Sequence, residues 1–164
     1  AAYAAVVALP GDGYRTLRDD AEAFLAALEG RRVDGPLDGV LARGDLRSGL
    51  RVLDIGCGFG GFAKHAAKRY GVRVTGISLS KEQIALAQER TKGLPVEIRF
   101  QDYRDVTGIF DHIVSIEMIE AVGYEFLPSF FEQCNERLKC GGKLLIQSIT
   151  IADQRFDYYK NNKQ

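Results

Sequence analysis

Residues 54–61 read Asp-Ile-Gly-Cys-Gly-Phe-Gly-Gly and follow directly on the run Arg51, Val52, Leu53. Gly56 and Gly58 let the backbone turn tightly and approach a ligand that any Cβ would block, and a helix beginning there would aim its unpaired N–H groups at the same spot. Asp54, two positions ahead of the first glycine, can organise this turn or face an ammonium group. Gly56, Gly58 and Gly61 also satisfy the G-x-G-x-x-G spacing of dinucleotide sites, a weak signal by itself. Such a site needs an acidic residue about 20 positions on, at the tip of the second strand; here that tip reads Ile77, Ser78, Leu79, Ser80. The bland alternative is a glycine turn that only packs helix on strand. Glu117 and Glu120 stand three apart after another apolar run, so a helical turn begun there brings both to one side. They could move a proton beside a bound ligand, or do no more than favour a helix N-terminus.

These residues need a scaffold that gathers them at one edge. From residue 51 onward, short β-branched runs alternate with amphipathic runs, the pattern of parallel βαβ units. The runs at 51–55, 72–77, 96–101, 112–116 and 143–149 are read as five strands buried on both faces. Phe62, Ala66 and Tyr70 recur four apart and Gly71 follows as a stop; Ser80 with Gln83 forms a capping-box pattern. Leu127, Phe130, Phe131, Cys134 and Leu138 make an apolar stripe expected to run as one helix, carrying Cys134 and Cys140, to Gly141 and Gly142. The sequence thus divides into a helical cover segment and linker over 1–50, with a helix at about 17–28, and a ligand-binding core over 51–164. The pair Arg31 and Arg32 is read as a solvated helix end.

Composition narrows the function classes. In 164 residues, 22 basic and 22 acidic side chains cancel, so no overall field draws the chain to nucleic acid. No apolar stretch approaches the roughly 18 residues of a membrane span. The apolar residues 1–9 lack the basic flank of a secretory signal, and the chain is read as cytoplasmic. Three cysteines without a C-x-x-C pair, and two histidines, give neither a disulfide framework nor a zinc pattern, so no metal is expected.

The Asp54-to-Gly58 turn resembles the D-x-G-x-G loop of class I S-adenosylmethionine (SAM) methyltransferases, a Rossmann-like α/β fold with a mostly parallel, doubly wound sheet. Further segments resemble the cyclopropane-fatty-acyl-phospholipid synthase family, which includes the mycolic acid cyclopropane synthases: GVRVTGISLSKEQ (71–83), QDYRD (101–105), FDHIVSIEMIEAVGYEF (110–126) and LLIQSITIADQRFDYY (144–159). The stretch SIEMIEAVGYE is the most specific of them. The resemblance implies a SAM-dependent carbon methyltransferase acting on the double bond of an unsaturated fatty acyl chain, in transient contact with a membrane surface. It implies cofactor contacts at Asp54, Gly56, Cys57 and Gly58, at Ser78, Leu79 and Gln83 along ribose and methionine, and at Asp102 and Tyr103 beside adenine. Glu120 aligns with a glutamate that holds a bicarbonate ion, the presumed base. Glu117 stands where many relatives have Gly and is read as structural or cofactor-adjacent, Glu120 being the one assigned to chemistry. Gln147 stands where many relatives have His and some carry Gln; Glu117 and Gln147 both border the expected substrate or ion site. The alternatives are a SAM methyltransferase of another small-molecule acceptor, and an inactive SAM-binding fragment.

Residues 1–50 carry no counterpart of the family's active-site Cys, and Cys57, Cys134 and Cys140 are placed where none can stand in. A methyltransferase sheet of this kind usually has seven strands, of which five are read here. The expectation is therefore an incomplete view of a longer protein, with gaps at 30–49 and after 159. The edge beside residues 143–149 is expected to be left open.

Overall fold

The apolar runs become strands of a single six-stranded sheet in a computed structural model, which describes residues 2–8 and 46–150. The strands are β1 (Ala2–Ala8), β2 (Arg51–Ile55), β3 (Arg73–Ser78), β4 (Val96–Phe100), β5 (Phe110–Ile116) and β6 (Leu138–Thr150). In the order β1-β6-β5-β2-β3-β4, strands β2 to β6 are mutually parallel and β1 is antiparallel to β6. Helices α1 (Gly61–Tyr70), α2 (Lys81–Arg90) and α3 (Leu127–Arg137) complete a doubly wound α/β layer structure.

Strand alternation assigns the two faces. Val52, Val74 and Val114 pack under Phe62 and Ala66 of α1 and Ala87 of α2. Their neighbours Leu53, Ile77 and Ile113 point the other way, against Phe130 and Cys134 of α3. The central parallel strands β2, β3 and β5 and the end of β6 are therefore buried on both faces, whereas the edge strand β4 alternates Val96, Ile98 and Phe100 with Glu97 and Arg99. The chain winds outward from β2 through β3 to β4, then returns to β5 on the other side of β2. This reversal leaves a crevice at the carboxyl ends of β2 and β5, where open α/β sheets bind ligands.

Five expectations are corrected. The stripe from Leu127 stops being helical at Arg137: Leu138 is extended (φ −91, ψ 130), pairs with Phe110 and is buried. Its side chain enters the same cluster as Phe130 and Cys134, so helical spacing fitted a residue that packs there from a strand. Gly141 and Gly142 lie within β6, where the register with β5 shifts, and a Cβ on Gly142 would stand 2.5 Å from the Asp111 carbonyl oxygen. Cys140 accordingly lies in β6, exposed, and not in a helix.

The edge expected to be open is paired: Ala2 to Ala8 run against Thr150 to Leu144 in unbroken register. Residues 2–8, assigned above to a helical cover, are a strand, whose alanine-rich run carries little β signal of its own. The helix expected at 17–28, Arg31 and Arg32, residues 30–45 and the segment 151–159 lie outside the described residues. Among those described, no helix is long and apolar enough to cross a membrane.

Candidate functional site

The glycine turn closes on β3. Gly56 and Cys57 both donate their N–H to the Ile77 carbonyl, at 3.0 and 2.9 Å, and the Cys57 carbonyl accepts from Gly60 N–H at 2.9 Å. Gly56, Gly58 and Gly60 have φ of 77, 51 and 74, conformations that L side chains resist. A Cβ on Gly58 would meet nothing within 4 Å, so this glycine borders an open cradle. Gly56 is different, because its Cβ would stand 2.5 Å from Met118 Cγ. The helix α1 that follows has no side-chain cap, leaving its first N–H groups available to a ligand.

Asp54 sits at the centre of the sheet between Gly76 and Val114, only 1% exposed. Desolvation raises its pKa from 3.8 to about 7, and its Oδ2 has no hydrogen-bond partner among the described residues. An orphaned, buried carboxylate oxygen beside an open glycine cradle suits a ligand carrying a cationic or N–H donor group. Cys57 does not share that role. Its thiol is buried over Gly76, and burial together with the Asp54 charge pushes its pKa up to about 12. With its N–H and carbonyl both engaged in the turn, Cys57 builds the loop and offers no side chain to a ligand.

At the tip of β3, the expected capping box is half formed. Ser80 Oγ accepts from Gln83 N–H at 3.3 Å, but the Gln83 side chain does not return the bond. Instead Ser78 Oγ donates to Gln83 Oε1 at 3.0 Å and accepts from Ser80 N–H at 3.2 Å. Ser78 thus fixes the loop that presents Leu79, which is 62% exposed and offers an apolar face to the crevice side.

After β4, Asp102 caps a 3-10 turn (Tyr103–Asp105) and grips Arg104, with contacts of 2.6 and 3.0 Å to the guanidinium. This pairing holds its carboxyl below the usual range. Tyr103 lies edge-on to Phe130, with ring centroids 5.3 Å apart. Both residues therefore have structural partners already, and any ligand contact from them is additional to those.

Across the crevice, β5 ends in a turn unlike the rest of the described chain. Glu117 is the described non-glycine residue with positive φ, at 51. Its N–H donates to the Gln147 carbonyl at 2.8 Å, and Gln147 Nε2 donates to Glu117 Oε1 at 3.3 Å. Gln147 is 7% exposed, while Glu117 and Glu120 face solvent. The turn carries Met118 back onto Gly56 and continues into the 3-10 turn Ile119–Ala121, which holds Glu120. The structure thus brings Glu117, Glu120 and Gln147 to the β5 side of the crevice, Asp54 and the glycines to the β2 side, and Ser78 and Leu79 next to them. Met118 escaped the sequence reading; its one available signal was being the single methionine of the chain.

The chain is similar to known proteins. The family model for mycolic acid cyclopropane synthetase matches residues 33–163. The cyclopropane-fatty-acyl-phospholipid synthase of Escherichia coli (strain K12) is 47% identical over 104 residues, 63% of this chain and 27% of that protein. Tuberculostearic acid methyltransferase UfaA1 of Mycobacterium tuberculosis (strain ATCC 25618 / H37Rv) is 41% identical over 135 residues, 80% of this chain and 30% of its own length. This chain therefore spans less than a third of either relative. Mycolic acid cyclopropane synthase CmaA1, solved as a complex with SAH and CTAB, superposes with a TM-score of 0.70 at 25% identity, over 90% of this chain and 49% of that one.

Proposed function

The chain belongs to the mycolic acid cyclopropane synthetase family, and from that premise we propose that it carries the cofactor-binding core of a SAM-dependent carbon methyltransferase acting on the double bond of an unsaturated fatty acyl chain. The observation that supports this reading most is the pairing of the orphaned Asp54 carboxylate with the open cradle at Gly58, at the point where the sheet order reverses.

The residues present fit SAM. Asp54 would meet its ammonium group, the glycine turn and the first N–H groups of α1 would receive its carboxylate, and Ser78, Leu79 and Gln83 would border ribose and methionine, with Asp102 and Tyr103 on the adenine side. When bound, SAM supplies an electrophilic methyl group. An alkene is a neutral nucleophile, so the protein's main task is to align it and exclude water. Methyl transfer leaves positive charge on the acyl carbon beside the new bond, and the Glu120 carboxylate stabilises that charge. On this reading the protein works in the cytoplasm and meets its acyl substrate at a membrane surface.

Bicarbonate, which the resemblance implies at Glu120, does not fit the polar side chains that the described residues bring to this turn. A bicarbonate can give its O–H to one carboxylate, but its other oxygens need donors, and at this turn the described side-chain amide of Gln147 already donates to Glu117.

Release of S-adenosylhomocysteine from SAM tests the proposal. Vesicles of unsaturated phospholipid should drive it and vesicles of the saturated analogue should not. Equal rates with both, or tight binding of a dinucleotide in place of SAM, would contradict it.

A further inference from the structure

We propose that Glu117, aimed by Gln147, is the group that accepts the proton after methyl transfer, so that an internal carboxylate serves where the resemblance implies a bound ion. The inference rests on the methyltransferase reading and adds to it the identity of the base.

A residue held at φ 51 with a full side chain is strained by about 1 kcal/mol or more, and glycine would relieve that strain at once. A turn that keeps glutamate there keeps it for the side chain. Gln147 is almost completely buried in the neighbouring strand, yet it spends its amide N–H on Glu117 Oε1, while its own carbonyl fixes Glu117 N–H at 2.8 Å. This clasp holds Oε1 and leaves Oε2 to accept. Glu117 is the first residue after β5, on the crevice between β5 and β2, and the next residue packs on Gly56 of the cofactor turn. Where the resemblance implies Gly at 117 with His at 147, this chain places a carboxylate, and one N–H of the Gln147 amide is given to it.

The chemistry balances without a further reagent. Once the methyl has been transferred, a C–H bond of that methyl group breaks, its electron pair bonds to the electron-poor acyl carbon and closes the ring, and the proton passes to Glu117 Oε2. Because Glu117 is exposed in this structure, it returns the proton to water before the next turnover.

The test uses the full chain and the variants E117Q and E117G. E117Q keeps the shape and the bond from Gln147 but removes the base; E117G suits the left-handed backbone, so it folds at least as well. Both should bind SAM within about threefold of the parent and lose turnover by about 100-fold or more. Added formate or acetate should restore part of the activity of E117G and none of that of E117Q. Independently of activity, nuclear magnetic resonance of labelled bicarbonate with the parent and S-adenosylhomocysteine should show no bound ion. Full turnover in E117Q or E117G, or bicarbonate bound to the parent, overturns the proposal alone. A parent chain that methylates no lipid overturns the functional reading and this proposal together.

Discussion

Asp54 is a carboxylate that folding has removed from water without giving its Oδ2 a partner, and its behaviour with pH follows from that. With its pKa raised from 3.8 to about 7, the folded chain holds a proton that the unfolded chain has released between those values. Stability therefore falls as pH rises through that window, by roughly 4 kcal/mol for the group, and is flat above it. D54N should flatten this profile in thermal or denaturant melts recorded across the window. A ligand ammonium placed on Asp54 pulls the pKa back down, so SAM binding near pH 6 should release a proton. Calorimetry in buffers of different ionisation heat should detect that proton in the parent and not in D54N. G58V should weaken SAM binding about tenfold or more, because its side chain would fill the cradle at a backbone angle β-branched residues avoid. E120Q should leave SAM affinity within about threefold while lowering kcat sharply, the mark of an interaction made in the transition state. At this scale the glycine turn and the neighbouring acidic residues stood out in the sequence, while their roles came from the resemblance. The inward thiol of Cys57 and the Arg104 grip on Asp102 were not, since both depend on which neighbours the fold supplies.

Between residue and molecule, the element that matters is the turn after β5. Met118 occupies the space a Cβ on Gly56 would need, so the cofactor loop and the loop of Glu117 and Glu120 are in direct contact. G56A should destabilise the protein by about 1–3 kcal/mol through strain and overlap, and M118A should recover the overlap part when combined with it. A double-mutant cycle read by denaturant unfolding checks this, and simple additivity would mean the two loops are uncoupled. The central parallel strands were legible because burial on both faces forces apolar runs, and four were placed with ends within two residues of those observed, while the last begins at Leu138 and not at 143. The end of α3 was not, since Leu138 reaches the same cluster from a strand that its helical spacing would have reached from a helix. The left-handed turn at Glu117 carries no local signal, as glutamate is a residue that spacing rules place in helices.

Across the whole sheet, both edges are managed. On one side β4 carries the Glu97–Arg99 ion pair, and on the other β1 covers β6 along seven residue pairs. Deleting residues 2–8 should uncover the apolar Leu144 to Ile146 run and promote association, measurable by light scattering; a variant that stays monodisperse would show that this strand is dispensable. The order β1-β6-β5-β2-β3-β4 also explains why chemistry-bearing residues 66 positions apart, Asp54 and Glu120, converge: the reversal beside β2 puts both of their loops on one crevice. That convergence was foreseeable from the alternation of strands and helices, whereas the antiparallel β1 was hidden in an alanine-rich run. The most direct test of what the crevice does is mass spectrometry of an unsaturated phospholipid after incubation with the protein and SAM bearing a deuterated methyl group. The account predicts that the acyl chain gains one carbon carrying that label; an unmodified acyl chain, with the label lost to another acceptor or kept on SAM, would contradict it.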